Sequence, residues 1–294
     1  MTRRIIDIHN HPNWHGHTVD DLVANMDELG IEKSWLLSWE LPRAEYDVAP
    51  YYYPAMDPRA IGAPLWMIVE GLKAYPDRLI GGWAPDPRDK HARARLKAAV
   101  DLYGIKLYGE FKCRMRFDNP DAIAMYRYCA ELNLPVLFHL QCPRFAVEKQ
   151  CESHEIWVEW YGGDMTVVDS ICEQCPETIF IGHAPGFWRT LSGDADTQTK
   201  EYPTGPVTPG GELPKLLRKH DNLYCDISAG SGCNAFTRDL EYGKLFAEEF
   251  QDRLLFGRDM FDDCHIRMLE SLNLSEDILN KIYHKNAETL IPGD

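Results

Sequence analysis

Eight short β-rich apolar runs alternate with amphipathic helical segments along 294 residues, and this predicts an α/β fold of the (β/α)8 TIM barrel type. Two further observations favour a barrel over a doubly wound open sheet. No G-x-G-x-x-G follows the first apolar run, and no G-x-x-x-x-G-K-[ST] phosphate loop is present. No linker or internal repeat divides the chain, so residues 1–294 are expected to form one domain.

The expected strands cover Arg4 to His9, Ser34 to Ser38, Leu79 to Ala84, Gly104 to Leu107, Pro135 to His139, Ile179 to Gly182, Leu223 to Ile227 and Leu254 to Gly257. Each is mostly Ile, Leu, Val and aromatic, as a parallel strand covered on both faces should be. Helices are expected at Val19 to Leu29, Lys90 to Tyr103, Pro120 to Leu132, Met165 to Cys175, Glu212 to His220 and Arg238 to Phe250. Long loops follow strands two, five and six. The first carries Tyr51-Tyr52-Tyr53-Pro54, the second Arg144, His154, Trp157 and Trp160, and the third, from Ala184 to Gly211, is rich in Gly, Pro, Thr and Asp. Such loops lie on the face where barrel enzymes hold their chemistry, as lids or as contacts within a homo-oligomer.

Composition narrows the partners. A formal charge of -15, from 46 acidic against 31 basic side chains, argues against nucleic acid or an anionic membrane and leaves a small molecule as the expected substrate. No apolar run approaches the roughly 20 residues of a membrane span, and Thr2-Arg3-Arg4 leads directly into a strand, so a cytoplasmic location is expected. Nine scattered cysteines suit reduced thiols, and Cys172-Glu173-Gln174-Cys175 lacks a second pair that would complete a metal knuckle.

The chemistry starts at Asp7-Ile8-His9-Asn10-His11. Histidines at i and i+2 on an extended backbone face the same side, so one rigid element can offer two imidazoles to one ion. In a barrel the C-terminal strand ends converge, and further candidate ligands stand there: His139 after strand five, His183 after strand six and Asp259 after strand eight. Imidazole with carboxylate suits one divalent ion, with Zn(II) expected and Mn(II) or Fe(II) as alternatives.

These motifs, with Gly104-Ile105-Lys106-Leu107, Gly182-His183-Ala184-Pro185-Gly186, Phe256-Gly257-Arg258-Asp259 and Asn286-Ala287-Glu288-Thr289-Leu290, resemble the amidohydrolase superfamily in its amidohydrolase 2 branch. The resemblance implies a distorted barrel of the metal-dependent hydrolase type, usually with one divalent ion. The branch includes hydrolases, lactonases, hydratases and nonoxidative decarboxylases. It also implies that His9, His11, His139 and Asp259 are ligands, and that His183 is a catalytic histidine or an additional ligand. Arg258 and Met260 depart from the small or polar residues and Pro frequent beside this aspartate in relatives. Lys106 is expected near the position of the carboxylated lysine of two-metal members, or in an ion pair at the mouth.

The expected reaction is hydrolysis of an amide, ester or lactone bond of a small organic acid by metal-activated water, with Asp259 accepting the water proton and His183 stabilising the developing oxyanion. A lyase on the same scaffold is the alternative, and a noncatalytic barrel a third. Asp7 is expected deeper on the side of His9, in a supporting role. Arg114, Arg116, Arg144 and Arg189 are candidates for a substrate carboxylate, with Arg144, Arg189 and Lys106 placed first, and Trp14, Trp39, Trp157 and Trp188 could wall the substrate.

Overall fold

The computed structural model describes residues 3–40, 62–141, 161–198 and 200–292. Eight parallel strands form the frame: β1 (Ile6–Asn10), β2 (Lys33–Leu37), β3 (Leu79–Gly82), β4 (Tyr108–Phe111), β5 (Val136–His139), β6 (Phe180–His183), β7 (Leu223–Asp226) and β8 (Leu254–Leu255). They pair in the order β1-β2-β3 and β4-β5-β6-β7-β8. Backbone hydrogen bonds join the two sheets at both edges. Lys106 N donates to Gly81 O and Trp83 N to Leu107 O between β3 and β4, while Ile8 N donates to Phe256 O and Asp259 N to His9 O between β8 and β1. The cylinder is therefore closed, which removes both sheet edges.

Around it run α1 (Val19–Leu29), α2 (Leu65–Ala74), α3 (Ala92–Tyr103), α4 (Pro120–Glu131), α5 (Met165–Gln174), α6 (Glu212–Lys219), α7 (Ala229–Thr237), α8 (Leu240–Glu249) and α9 (Cys264–Ser271). Local chemistry sets their ends. Thr18 and Asp21 form a reciprocal capping box at the start of α1, and Gly30 ends it in the left-handed region at φ 68°. Asn119 and Asp164 cap α4 and α5. The helices then bury Leu22, Met26, Leu96, Tyr126, Val168 and Phe246 against the outer faces of the strands. A separate apolar cluster, including Ile6, Ile8, Trp35, Leu37, Leu107, Leu137, Ile181 and Leu255, fills the interior, with Ala287 and Ile291 of the C-terminal helical segment packed on it.

Two irregularities shape the mouth. Register shifts between Asp7 and Asn10 against β2, and between Tyr108 and Phe111 against β5. Strict alternation would put Ile8 and His9 on opposite faces, yet Ile8 lies in the interior cluster and His9 meets the other mouth residues. The second shift spans Gly109 and Glu110.

The fourth strand departs from expectation. Ile105 and Leu107 are buried, but the ladder to β5 pairs Tyr108 with Val136 and Phe111 with Phe138, four residues further on. His220 and His284 are largely buried and bonded to Asp169 and Glu288. Among the described residues no helix is long and apolar enough to cross a membrane.

Candidate metal centre

The C-terminal mouth gathers His9, His11, His139, His183 and Asp259 with one residue the sequence reading missed, Glu110. Three overlapping sets have ligand atoms within 4.8 Å of one another: His9 with His11 and Glu110; His9 with His183 and Asp259; and Glu110 with His139 and His183. His139 thus joins the cluster through Glu110 and His183.

Hydrogen bonds fix which imidazole nitrogens face inward. His11 Nδ1 lies 2.9 Å from Leu37 O, which can only accept, so this nitrogen carries the proton and Nε2 the lone pair of the neutral ring. His9 Nδ1 lies 2.6 Å from Asp226 Oδ2, a carboxylate support of the kind that orients metal-binding histidines. The two Nε2 atoms then stand 3.3 Å apart, within hydrogen-bonding distance of each other. Asp259 Oδ1 faces them at 3.9 Å and 3.7 Å. It is buried and without a hydrogen-bonding partner. Two imidazole Nε2 atoms and a carboxylate oxygen without a hydrogen bond around one volume fit a divalent ion held by nitrogen and oxygen, each Nε2 offering a lone pair once its ring is neutral.

The electrostatics agree. Burial pushes His9 down, but Asp259, Asp226 and Glu110 outweigh it and raise its pKa to about 10. Burial lowers His11 to about 4. Glu110 is pushed up by burial yet held well below the ordinary carboxylate range by Lys112, His139 and His9. Burial, with Glu110 and Asp226 adding to it against His9 and Lys112, raises Asp259 to about 7. A pocket that draws a proton onto a buried imidazole has an excess of negative charge that a divalent cation would neutralise, releasing that proton.

Glu110 forms a bridge: Oε1 lies 2.7 Å from His139 Nδ1, and Oε2 lies 3.5 Å from His11 Nε2. It was missed because strand four was set four residues early. Asp226, at the end of β7, was within the expected strand and would have emerged from the same search of strand ends. Lys112 was also missed; its Nζ sits 3.7 Å from the centroid of the Trp39 ring.

Other expected residues lie elsewhere. Lys106 does not reach this mouth. It precedes β4 and lines a surface depression of about 520 Å³ with Lys33, Leu79 and Ile80, all at the starts of strands and therefore at the opposite end of the barrel. Arg189 donates to the main-chain oxygens of Ala195 and Gln198, which ties its guanidinium to its own loop. Arg116 pairs with Asp118 on the surface. Arg144, Trp157, most of the Tyr-rich loop and most of the loop carrying His154 lie outside the described residues. Trp14 and Trp39 stand beside His11, at centroid distances of 5.8 Å and 6.2 Å. Trp188 instead packs on Phe187, Phe236 and Phe246. Asp7 points away from the mouth, paired with Arg258, which also reaches Asn25 of α1.

The amidohydrolase family model matches residues 6–292, nearly the whole chain. The chain belongs to the amidohydrolase family, in its amidohydrolase 2 branch. No curated protein matches its sequence. Solved structures share its barrel. A probable 2-pyrone-4,6-dicarboxylic acid hydrolase from Acinetobacter baumannii, with citric acid bound, is 15% identical over 97% of this chain and 98% of its own, with a TM-score of 0.59. The 2,6-dihydroxybenzoate decarboxylase from Rhizobium is 16% identical over 99% and 98%, with a TM-score of 0.58. A dihydroxybenzoic acid decarboxylase from Polaromonas sp., solved with manganese and the inhibitor 2-nitroresorcinol, is 17% identical over 98% and 97%, with a TM-score of 0.59. At these identities they establish the fold this chain shares, and its reaction must be argued from its own residues.

Proposed function

We propose that this amidohydrolase-family protein is a metal-dependent enzyme acting on a small organic acid, hydrolysing an amide, ester or lactone bond. The observation that carries this reading is the buried, unpartnered Asp259 Oδ1 beside the Nε2 atoms of His9 and His11. His9, His11, His139 and Asp259 would hold the ion, Zn(II) or alternatively Mn(II) or Fe(II), with Glu110 as a further oxygen donor. Bound there, the ion lowers the pKa of water and polarises a substrate carbonyl or carboxylate oxygen.

The remaining tasks fall to the protein. Asp259 receives a proton from the attacking water at a carboxylate oxygen and passes it to the leaving group. His183 Nε2, 3.9 Å from Asp259 Oδ2, addresses the same reacting atoms. The Lys112 ammonium attracts the substrate carboxylate, and Trp14 with Trp39 forms an apolar wall that excludes water beside it.

Lys112 also favours a second reading, nonoxidative decarboxylation. A cation beside the ion site would draw a substrate carboxylate to the position from which carbon dioxide leaves, and Asp259 or His183 would then deliver a proton to carbon. The decarboxylases among the structural neighbours lend this reading support. One experiment separates the two. Protein loaded with Zn(II) or Mn(II) is given 2-pyrone-4,6-dicarboxylate and 2,6-dihydroxybenzoate while carbon dioxide and proton release are followed together. Proton release without carbon dioxide identifies hydrolysis, and carbon dioxide identifies the lyase. Failure of the wild-type protein to retain either metal removes the metal-dependent reading itself.

A further inference from the structure

We propose that Asp226 and Ser228 are a positioning pair that keeps a proton on His183 Nδ1, so that His183 gains or loses protons at Nε2 alone. This rests on the reading of His183 as a catalytic group, but its test measures the ring and not the reaction.

Asp226 ends β7 and Ser228 stands at the N-cap position of α7, its hydroxyl turned away from the helix, and both are fully buried. Ser228 N donates to Asp226 Oδ1 at 2.9 Å, and Ser228 Oγ donates to Asp226 Oδ2 at 2.9 Å. A hydroxyl has one hydrogen, so once it points at the carboxylate its oxygen meets His183 Nδ1, 3.0 Å away, as an acceptor. Asp226 Oδ2 lies 3.3 Å from the same nitrogen and also only accepts. A lone pair on Nδ1 would face two oxygens, whereas an N–H satisfies them. The opposite nitrogen, Nε2, looks into the mouth toward Glu110 Oε1 at 4.0 Å and Asp259 Oδ2 at 3.9 Å.

Gly257 permits the arrangement. A Cβ there would lie 2.6 Å from Asp226 Oδ1 and 3.2 Å from the His9 Cβ, so only glycine lets this carboxylate come between β8 and His9. The consequence concerns direction. The neutral His183 ring presents an acceptor at Nε2, so it orients the attacking water by accepting a hydrogen bond while Asp259 takes the proton, and it does not donate to an oxyanion, the role expected of it from sequence.

The test is a long-range proton–nitrogen correlation spectrum of the full-length protein labelled with 15N-histidine, metal-free and Zn(II)-loaded, with His183→Gln to assign the ring. The wild type is expected to show pyrrole-type Nδ1 and, in the metal-free protein, pyridine-type Nε2. Asp226→Asn, whose amide can turn a donor toward the ring, is expected to move proton density to Nε2. A pyrrole-type Nε2 in the metal-free wild type overturns the proposal, as does an unchanged ring in folded Asp226→Asn. Should that variant not fold, Ser228→Ala replaces it. There Asp226 alone is expected to keep Nδ1 protonated, and a complete switch to Nε2 would overturn the part assigned to the carboxylate.

Discussion

Two aspartates at the β1/β8 seam are treated in opposite ways by the same fold. Asp7 is fully buried, and both oxygens are taken: Oδ1 by the backbone N–H groups of His9 at 3.2 Å and Arg258 at 2.9 Å, Oδ2 by Asn10 Nδ2 at 2.7 Å and Arg258 Nε at 2.8 Å. Asp259 follows Arg258 directly, has a side chain 14% exposed toward the mouth, and leaves Oδ1 without a partner. A carboxylate with every acceptor site filled holds strands together. One left without a hydrogen bond among imidazole nitrogens is available to a ligand, which is what the proposed metal-binding role asks of it.

The largest expected effect comes from breaking the saturated member. Arg258→Met leaves Asp7 buried without its cation, which costs about 3–5 kcal/mol and lowers the melting temperature by about 10 °C. The double variant Asp7→Asn/Arg258→Met removes both charges and is expected to recover most of that loss. Thermal unfolding of the two variants beside wild type measures this, and a double variant no better than the single one would show that the pair's hydrogen bonds, not its charges, hold the seam.

Asp259→Asn is the matching change at the unsaturated member. Asparagine tolerates the left-handed backbone found there, φ 52°, so the turn survives. The melting temperature is expected to stay within about 2 °C of wild type, since no hydrogen bond of Oδ1 is lost and a buried negative charge is removed. Bound metal and turnover should fall together, turnover by about 10²-fold or more. Elemental analysis of equally purified samples reads the first, and a stability loss as large as that of Arg258→Met would erase the distinction between the two carboxylates.

The same contrast explains what could be read from sequence. The meeting of His9, His11, His139, His183 and Asp259 was legible because residues at or just past the C-terminal ends of parallel strands reach one rim, and α1 was legible because Thr18, Asp21 and Gly30 mark its ends. The side of Asp7 was not, because the register shift between Asp7 and Asn10 breaks the alternation on which the reading relied. Helix α7 was also hidden. Its Ala229-Gly230-Ser231-Gly232 start has poor helix propensity, but Gly232 packs so tightly that a Cβ would lie 1.9 Å from Ile227 O. Glu110 was lost for both reasons at once, a strand set four residues early and a register shift between Tyr108 and Phe111, within which it lies.

That last error supplies the smallest effect and a sharp control. Lys106 and Glu110 are four residues apart on one run of chain, yet one lies at the start of the barrel and the other among the mouth histidines. Lys106→Met is therefore expected to leave metal content unchanged and to shift stability by no more than about 0.5 kcal/mol. Glu110→Gln removes the charge between His11 and His139 and should weaken metal affinity by about 10–100-fold. Competition of both variants with a chelating dye measures the ratio. If Lys106→Met lost metal and Glu110→Gln kept it, strand four would have to slide back by four residues and carry the lysine to the rim, which the pairing of Tyr108 with Val136 does not allow.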